Sequence, residues 1–275
     1  MDQKTLEKDL AGLPLGPLRY FDRIGSTNDE AGRWADAGAP DLALVVAGEQ
    51  TAGRGRGGRK WFTPPEAALA FSLVLRDLTS ASPETIPWTT ALGALAVSQA
   101  LHDDYGLQAQ IKWPNDVLLE RRKVAGVLAE AHWVGDQLSA VILGIGINVA
   151  PSAVPADSEL IFPATCIEAA LGHPLERTSL LRSVLAKLLE WRTQLGTPEF
   201  LRAWEESLAF QGEWVYAIIK GQAGAAHRRQ GLVLGLDPQG QIKLRDRSGE
   251  IFSLRVGEIR LRPLEGSARE EMKHV

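Results

Sequence analysis

The chain has 275 residues, 45% hydrophobic and 23% charged, with a formal net charge of −4 and a pI of about 5.8. That is the balance of a globular protein with room for one large domain and one small one, and it excludes a chain whose main business is coating nucleic acid. The single cysteine, Cys166, excludes a disulfide framework and reads as buried packing; no apolar run approaches a membrane span and Met-Asp-Gln-Lys-Thr is no signal peptide, so a cytoplasmic location is expected.

In chain order, residues 1–17 read as a short extension ending in Gly-Leu-Pro-Leu-Gly-Pro17. Residues 18–22 read as a strand. Ser26-Thr-Asn-Asp29 offers caps for a helix that runs through Trp34 and stops at Gly38. Residues 42–47 and 68–75 are short β-rich apolar runs. Ser82-Pro83 opens a long amphipathic helix that ends near Gly106. Residues 110–112 are extended before Pro114. Residues 117–119 and 123–129 pair across a Glu120-Arg-Arg122 turn. Residues 138–148 form another strand, in which Gly144 and Gly146 share one face; glycine there marks either close approach of a ligand or a bulge. Helices are expected over 163–172, 178–191 and from Thr197-Pro198 to about Phe210.

From Gly212 the texture changes to five short β runs, 214–220, 229–235, 241–245, 251–255 and 258–261, which read as a small barrel. The expected layout is an extension over 1–17, a large domain over 18–211, a small domain over 212–265 and a charged, disordered tail over 266–275.

The chemistry gathers around Gly48-Glu-Gln-Thr-Ala-Gly-Arg-Gly-Arg-Gly-Gly-Arg-Lys-Trp61. Four glycines with Arg54, Arg56, Arg59 and Lys60 describe a mobile loop closing over an anion. Lys112-Trp-Pro-Asn-Asp116 and Arg121-Arg-Lys-Val-Ala-Gly126 read as the other wall. Gly53-x-Gly55-x-x-Gly58 fits the dinucleotide fingerprint only formally, because Pro64 and Pro65 follow where a helix is required. Arg59 and Lys60 after Gly58 do not make a P-loop either. There is no nucleophile elbow, and the five histidines have no metal-ligand spacing. Fixed positive charge with Asn115, Asp116 and Asn148 suits catalysis by positioning and charge stabilisation. Asp116 has a plain reading as a partner for Lys112. Trp113 reads as core, and Arg121 and Arg122 as a solvated turn.

Taken together, Ser26-Thr-Asn28, Gly53-Arg-Gly-Arg-Gly-Gly-Arg-Lys-Trp61, Lys112-Trp-Pro-Asn-Asp116, Lys123-Val-Ala-Gly126 and Gly144-Ile-Gly-Ile-Asn148 resemble, in order, the signature segments of biotin protein ligases. The resemblance covers about residues 18–263. It implies an α+β fold like class II aminoacyl-tRNA synthetases, a mixed, largely antiparallel sheet with helices on one side, and a C-terminal SH3-like barrel. It also implies formation of biotinyl-5′-adenylate from biotin and MgATP, then transfer to a lysine of the biotin carrier domain of a biotin-dependent carboxylase.

By position, the resemblance assigns Ser26, Thr27, Asn28 and Gln50 to the biotin ring system and Arg54-Gly55-Arg56 to the biotin-binding loop. Arg56 would hold the carboxylate or phosphate, Lys123 would sit at the reacting carboxylate and phosphate, and Lys112 would stabilise the transferring phosphate. Asn115 and Asp116 would serve the triphosphate. No metal ion is fixed by protein alone; Mg²⁺ comes with ATP, near Asp116. Trp61 would stack near adenine or wall the pocket, Asn148 would lie on the nucleotide side, and Gly126 and Gly146 would let ligand approach the sheet. About 18 residues precede the first strand, which suggests the monofunctional layout without a helix-turn-helix, with no specific DNA and no membrane as partner; a homodimer is left open. The competing readings are a lipoate ligase or octanoyltransferase and a nucleic-acid-binding regulator.

Overall fold

A computed structural model of the chain describes residues 1–76, 86–156, 162–220, 226–255 and 259–263. Seven strands build the first sheet: β1 (Leu18–Ile24), β2 (Leu44–Gln50), β3 (Ala68–Leu75), β4 (Ala109–Lys112), β5 (Asp116–Leu119), β6 (Arg122–Val134) and β7 (Gln137–Asn148). Their order is β1-β2-β3-β7-β6-β5-β4. Only β1 and β2 run parallel; the other neighbours are antiparallel.

Alternation along the strands decides what each face does. Leu69, Phe71, Leu73 and Leu75 of β3, with Val141, Leu143, Ile145 and Ile147 of β7, point into the main core. The helices α1 (Gln3–Asp9), α3 (Ile86–Tyr105) and α5 (Arg177–Arg192) cover that side. The residues between them, Ser72 and Val74 on β3 and Ile142, Gly144 and Gly146 on β7, point the other way. There, among the described residues, α2 (Thr27–Asp36) is the helix that packs on the sheet, in a cluster of Ala31, Ala35, Val45, Val74, Ala140 and Ile142. So α1, α3 and α5 lie on one side, and α2, 10 residues long, leaves part of the opposite face open for a site.

Residues 1–17 are more than an extension: α1 buries Leu6 and Leu10 in the core. The helix expected over 163–172 is only α4 (Ile167–Leu171), stopped by Gly172 at φ 78°, where glycine avoids a Cβ clash. The helix expected to reach Phe210 is α6 (Pro198–Glu206), with Thr197 capping the Phe200 amide. It ends early because Ser207 and Ala209 exchange backbone hydrogen bonds with Ile111 of β4. The Ser82-Pro83 helix start, Glu258 and the tail 266–275 lie outside the described residues.

The second sheet contains β8 (Trp214–Lys220), β9 (Ala226–Leu236), β10 (Ile242–Arg245), β11 (Ile251–Leu254) and β12 (Ile259–Pro263). It is antiparallel, in the order β11-β10-β9-β8-β12. Its buried side chains, Val215, Val233, Ile242 and Leu244 among them, belong to the same contiguous core cluster as the first sheet. Arg121 lies in the exposed turn expected of it, and it also finds partners there. It forks onto Glu213 at 2.8 and 3.0 Å and lies over the Phe210 ring. Trp113 is core as expected, 2% exposed, and its indole Nε1 donates to the Gly240 carbonyl between β9 and β10 at 3.1 Å. Trp113→Phe is expected to lower the unfolding free energy by about 2 kcal/mol, through a lost hydrogen bond and a small cavity. Urea unfolding checks this, and an unchanged midpoint would mean the contact between the two sheets carries no stability.

Candidate functional site

A cavity of about 520 Å³ opens on the face that α2 leaves bare. Every sequence-selected residue lines it: Ser26, Thr27, Asn28, Gln50, Arg54, Gly55, Arg56, Trp61, Lys112, Asn115, Asp116, Lys123, Gly126, Gly146 and Asn148.

One end is polar and neutral. Ser26 precedes α2 and makes no side-chain cap, while Thr27 and Asn28 occupy the first turn. Gln50, at the end of β2, accepts at Oε1 from the Thr27 amide (2.8 Å) and hydroxyl (3.1 Å), and its Nε2 donates to Thr63 Oγ1 at 3.0 Å. Ser72 Oγ lies 2.6 Å from Asn28 Oδ1. A Cβ at Gly144 would sit 2.0 Å from Asn28 Oδ1, so the glycine makes room for that side chain. Nor is β7 bulged there: its ladder with β3 runs unbroken through both Gly144 and Gly146.

The loop between β2 and β3 folds back as a small hairpin. Trp61 donates its amide to Gly53 (2.8 Å) and Gly55 to Arg59 (2.7 Å), around a one-turn 3-10 segment at Arg56–Gly58. Gly57 and Gly58 take φ of 66° and 72°, which glycine reaches without strain. Trp61 walls the floor: a Cβ at Gly146 would meet its Nε1 at 2.3 Å, and one at Gly126 its ring at 3.2 Å. Those two glycines face each other across β6 and β7, so what they admit in this structure is the indole.

The other end is charged. Asp116 Oδ2 and Oδ1 each lie 2.5 Å from an ammonium, Lys112 and Lys123 respectively. Lys112 is 7% exposed and also lies over the Phe162 ring, whereas Lys123 is 22% exposed. Burial alone would raise the Asp116 pKa; the two ammonium groups override it and hold the carboxyl well below the usual range. Arg56 Nη1 donates to Asn115 Oδ1 at 3.2 Å. Burial lowers the Arg56 pKa, and the Asp116 charge offsets part of that. Among the described residues, Lys112, Lys123 and Arg56 gather about the Asp116 carboxylate, an end of the cavity whose positive potential suits an anion.

Several assigned side chains are engaged with protein instead. Arg54 lines the cavity while its guanidinium forks onto Glu130 and pairs with Asp29. Asn115 spends its amide on Arg56 and, through Nδ2, on the Val127 carbonyl. Asn148 Nδ2 donates to the Thr165 carbonyl at 3.0 Å. Asp116 has both oxygens taken by lysine, and among the described residues no group of three or more His, Cys, Asp or Glu side chains could hold a metal ion. The residues present therefore do not fit a divalent ion held by protein. Ser72, Thr63, Phe162 and Glu130 were not singled out from sequence; Glu130 carried a signal, lying four residues after Gly126 on the same strand face.

Among the described residues no helix is long and apolar enough to cross a membrane. Residues 20–148 match the Biotin/lipoate A/B protein ligase family. The biotin–(acetyl-CoA-carboxylase) ligase of Paracoccus denitrificans is 35% identical over 238 residues, 82% of this chain and 93% of that protein. The bifunctional ligase/repressor BirA of Bacillus subtilis is 38% identical over 169 residues, and the match spans only about half of that protein, 51%. The fold superposes on the biotin protein ligase from Aquifex aeolicus, in complex with biotin and ATP, with a TM-score of 0.76 and 28% identity, covering 90% of this chain and 99% of that one. With its seven-stranded sheet, its charged cavity and these likenesses, the chain belongs to the biotin/lipoate A/B protein ligase family, among the biotin protein ligases.

Proposed function

We propose that the chain joins biotin to a lysine of a biotin carrier domain through biotinyl-5′-adenylate. The observation that carries this is the charged end of the cavity, with Lys123, Lys112 and Arg56 gathered about one carboxylate and a neutral polar end opposite. Biotin has the matching polarity, a neutral ureido ring at one end and a carboxylate at the other. The ring goes to Ser26, Thr27, Asn28 and Gln50, and the carboxylate to the lysines.

In the first step a carboxylate oxygen bonds to the α-phosphorus of ATP and the bond to pyrophosphate breaks. Two anions must approach, and Lys123, Lys112 and Arg56 offset their repulsion. Trp61 supplies an apolar wall over Gly126 and Gly146 beside Lys123, whose Nζ lies 5.3 Å from the ring centroid. Mg²⁺ arrives as the counterion of the nucleotide phosphates. In the second step the carrier lysine amine attacks the acyl carbon, AMP leaves and the amine loses a proton.

The test is incubation with biotin, ATP, Mg²⁺ and a carrier domain, read by avidin blot, with lipoate in a parallel arm. Biotin-dependent label supports the reading; label in the lipoate arm alone would overturn it. Gly144→Ala gives a second check, because its Cβ would collide with Asn28 Oδ1. Displacing Asn28 is expected to raise the biotin Kd about tenfold or more, the cost of one well-placed polar contact. Calorimetry measures it, and an unchanged Kd would remove Asn28 from the ring subsite.

A further inference from the structure

The Arg54–Glu130 pair belongs to a hydrogen-bonded chain that begins in the loop and returns to its base. Arg54 Nη1 and Nη2 donate to Glu130 Oε1 and Oε2 at 2.7 and 2.6 Å. Arg54 Nη2 also lies 2.8 Å from Asp29 Oδ1. Glu130 Oε2 at the same time accepts from Asn28 Nδ2 at 2.6 Å. Asn28 Oδ1 meets Ser72 Oγ, and Ser72 Oγ lies 2.8 Å from Thr27 Oγ1. Thr27 leads through Gln50 to Thr63, and Gln50 and Thr63 are bridged at the base of the loop.

Glu130 is the link in this chain that must be a carboxylate. It accepts three N–H groups from two directions, an arginine fork and an amide. Glutamine there would turn an NH₂ toward one of those donors, whichever way its amide faced.

We infer that Glu130 is a positioning residue that couples loop closure to the ring end of the cavity. Arg54 closes the loop by docking on Glu130, and the docked Glu130 fixes the Asn28 amide. The pair is well formed yet exposed, 42% at Arg54, 27% at Glu130 and 44% at Asp29. An ion pair so exposed shifts an equilibrium only a few-fold, which suits a latch that must open to admit ligand. It should also weaken with salt. The ring-end part of the inference rests on the biotin reading; the latch itself does not.

The test compares wild type with Glu130→Gln, Arg54→Met and the double variant in two measurements. The first is a timed trypsin digest without ligand, following cuts after Arg56, Arg59 and Lys60, the sites common to all four proteins. The second is the steady-state rate with varied biotin. Each single variant is expected to speed loop cutting about fivefold and raise the biotin KM about fivefold, with kcat held within about twofold, and the double variant to add nothing further. Wild-type cutting should rise with ionic strength relative to a reference peptide; that rise should shrink in Glu130→Gln, where Arg54 keeps Asp29, and vanish in Arg54→Met. Equal cutting in wild type and Glu130→Gln would overturn the latch, as would effects that multiply in the double variant. A fall in kcat with KM and cutting unchanged would overturn the positioning role. If wild type binds no biotin by calorimetry, the functional reading falls, while the ligand-free digest still decides the latch.

Discussion

Lys123→Ala is expected to slow adenylate formation by about 10²–10³, the typical cost of one preorganised charge at a developing anion. Both lysines line the cavity, but Lys123 is the more exposed, 22% against 7% at Lys112. Removing Lys123 leaves Asp116 with Lys112 still at 2.5 Å, so the buried carboxylate keeps a counter-charge and the fold should survive. The effect should appear chiefly in the rate of pyrophosphate release, with the biotin Kd raised far less, because Lys112 and Arg56 still meet the carboxylate and the lost ammonium matters most when the phosphate approaches it. A normal rate of pyrophosphate release in a folded Lys123→Ala protein would remove Lys123 from the chemistry. A rate loss matched by loss of biotin binding would instead make it a binding residue.

The elements that set the site were legible where apolar spacing is strict. β3 and β7 were read to within a residue because both of their faces are buried. The boundary of α6 was not legible, because its stop is tertiary: Ser207 and Ala209 leave the helix to bond Ile111, about 96 residues earlier in the chain. α1 offered only Leu6 and Leu10, one i,i+4 pair, too little to distinguish a docked helix from a tail.

The same limit governs the site. The residues that type and spacing pick out all line the cavity, since glycine and cation clusters are local signals, whereas Phe162 lines it without any such signal. Partners are not local. The arginine fork of Arg54 was read as aimed at ligand, yet its carboxylate partner lies 76 residues on, in β6. In this structure Trp61 lies over Gly146, a partner distant in sequence that the glycine pattern alone does not announce. Charge tells that an anion is needed nearby; only the fold decides whether the protein supplies it.

Asp116 shows the consequence of a partner supplied by the protein. Asp116→Asn is expected to destabilise the protein by about 3–5 kcal/mol at pH 7, the usual cost of breaking a buried ion cluster from one side. It leaves the Lys112 and Lys123 ammonium groups without the carboxylate that both contact at 2.5 Å. The pH dependence distinguishes this from a packing defect. The folded-state pKa of Asp116 lies below its ordinary value of 3.8. Its contribution is therefore complete above about pH 5, and it is lost as pH falls through 3.8 toward the lower folded value, because the unfolded chain takes up the proton first. Urea unfolding of both proteins should show a constant gap from pH 7 to about pH 5 and a shrinking gap below pH 4. A gap that stays constant through pH 3 would mean the asparagine merely packs badly. No gap at pH 7 would mean the two lysines are held apart by something other than this carboxylate, and the positive cluster would need no internal anion to assemble.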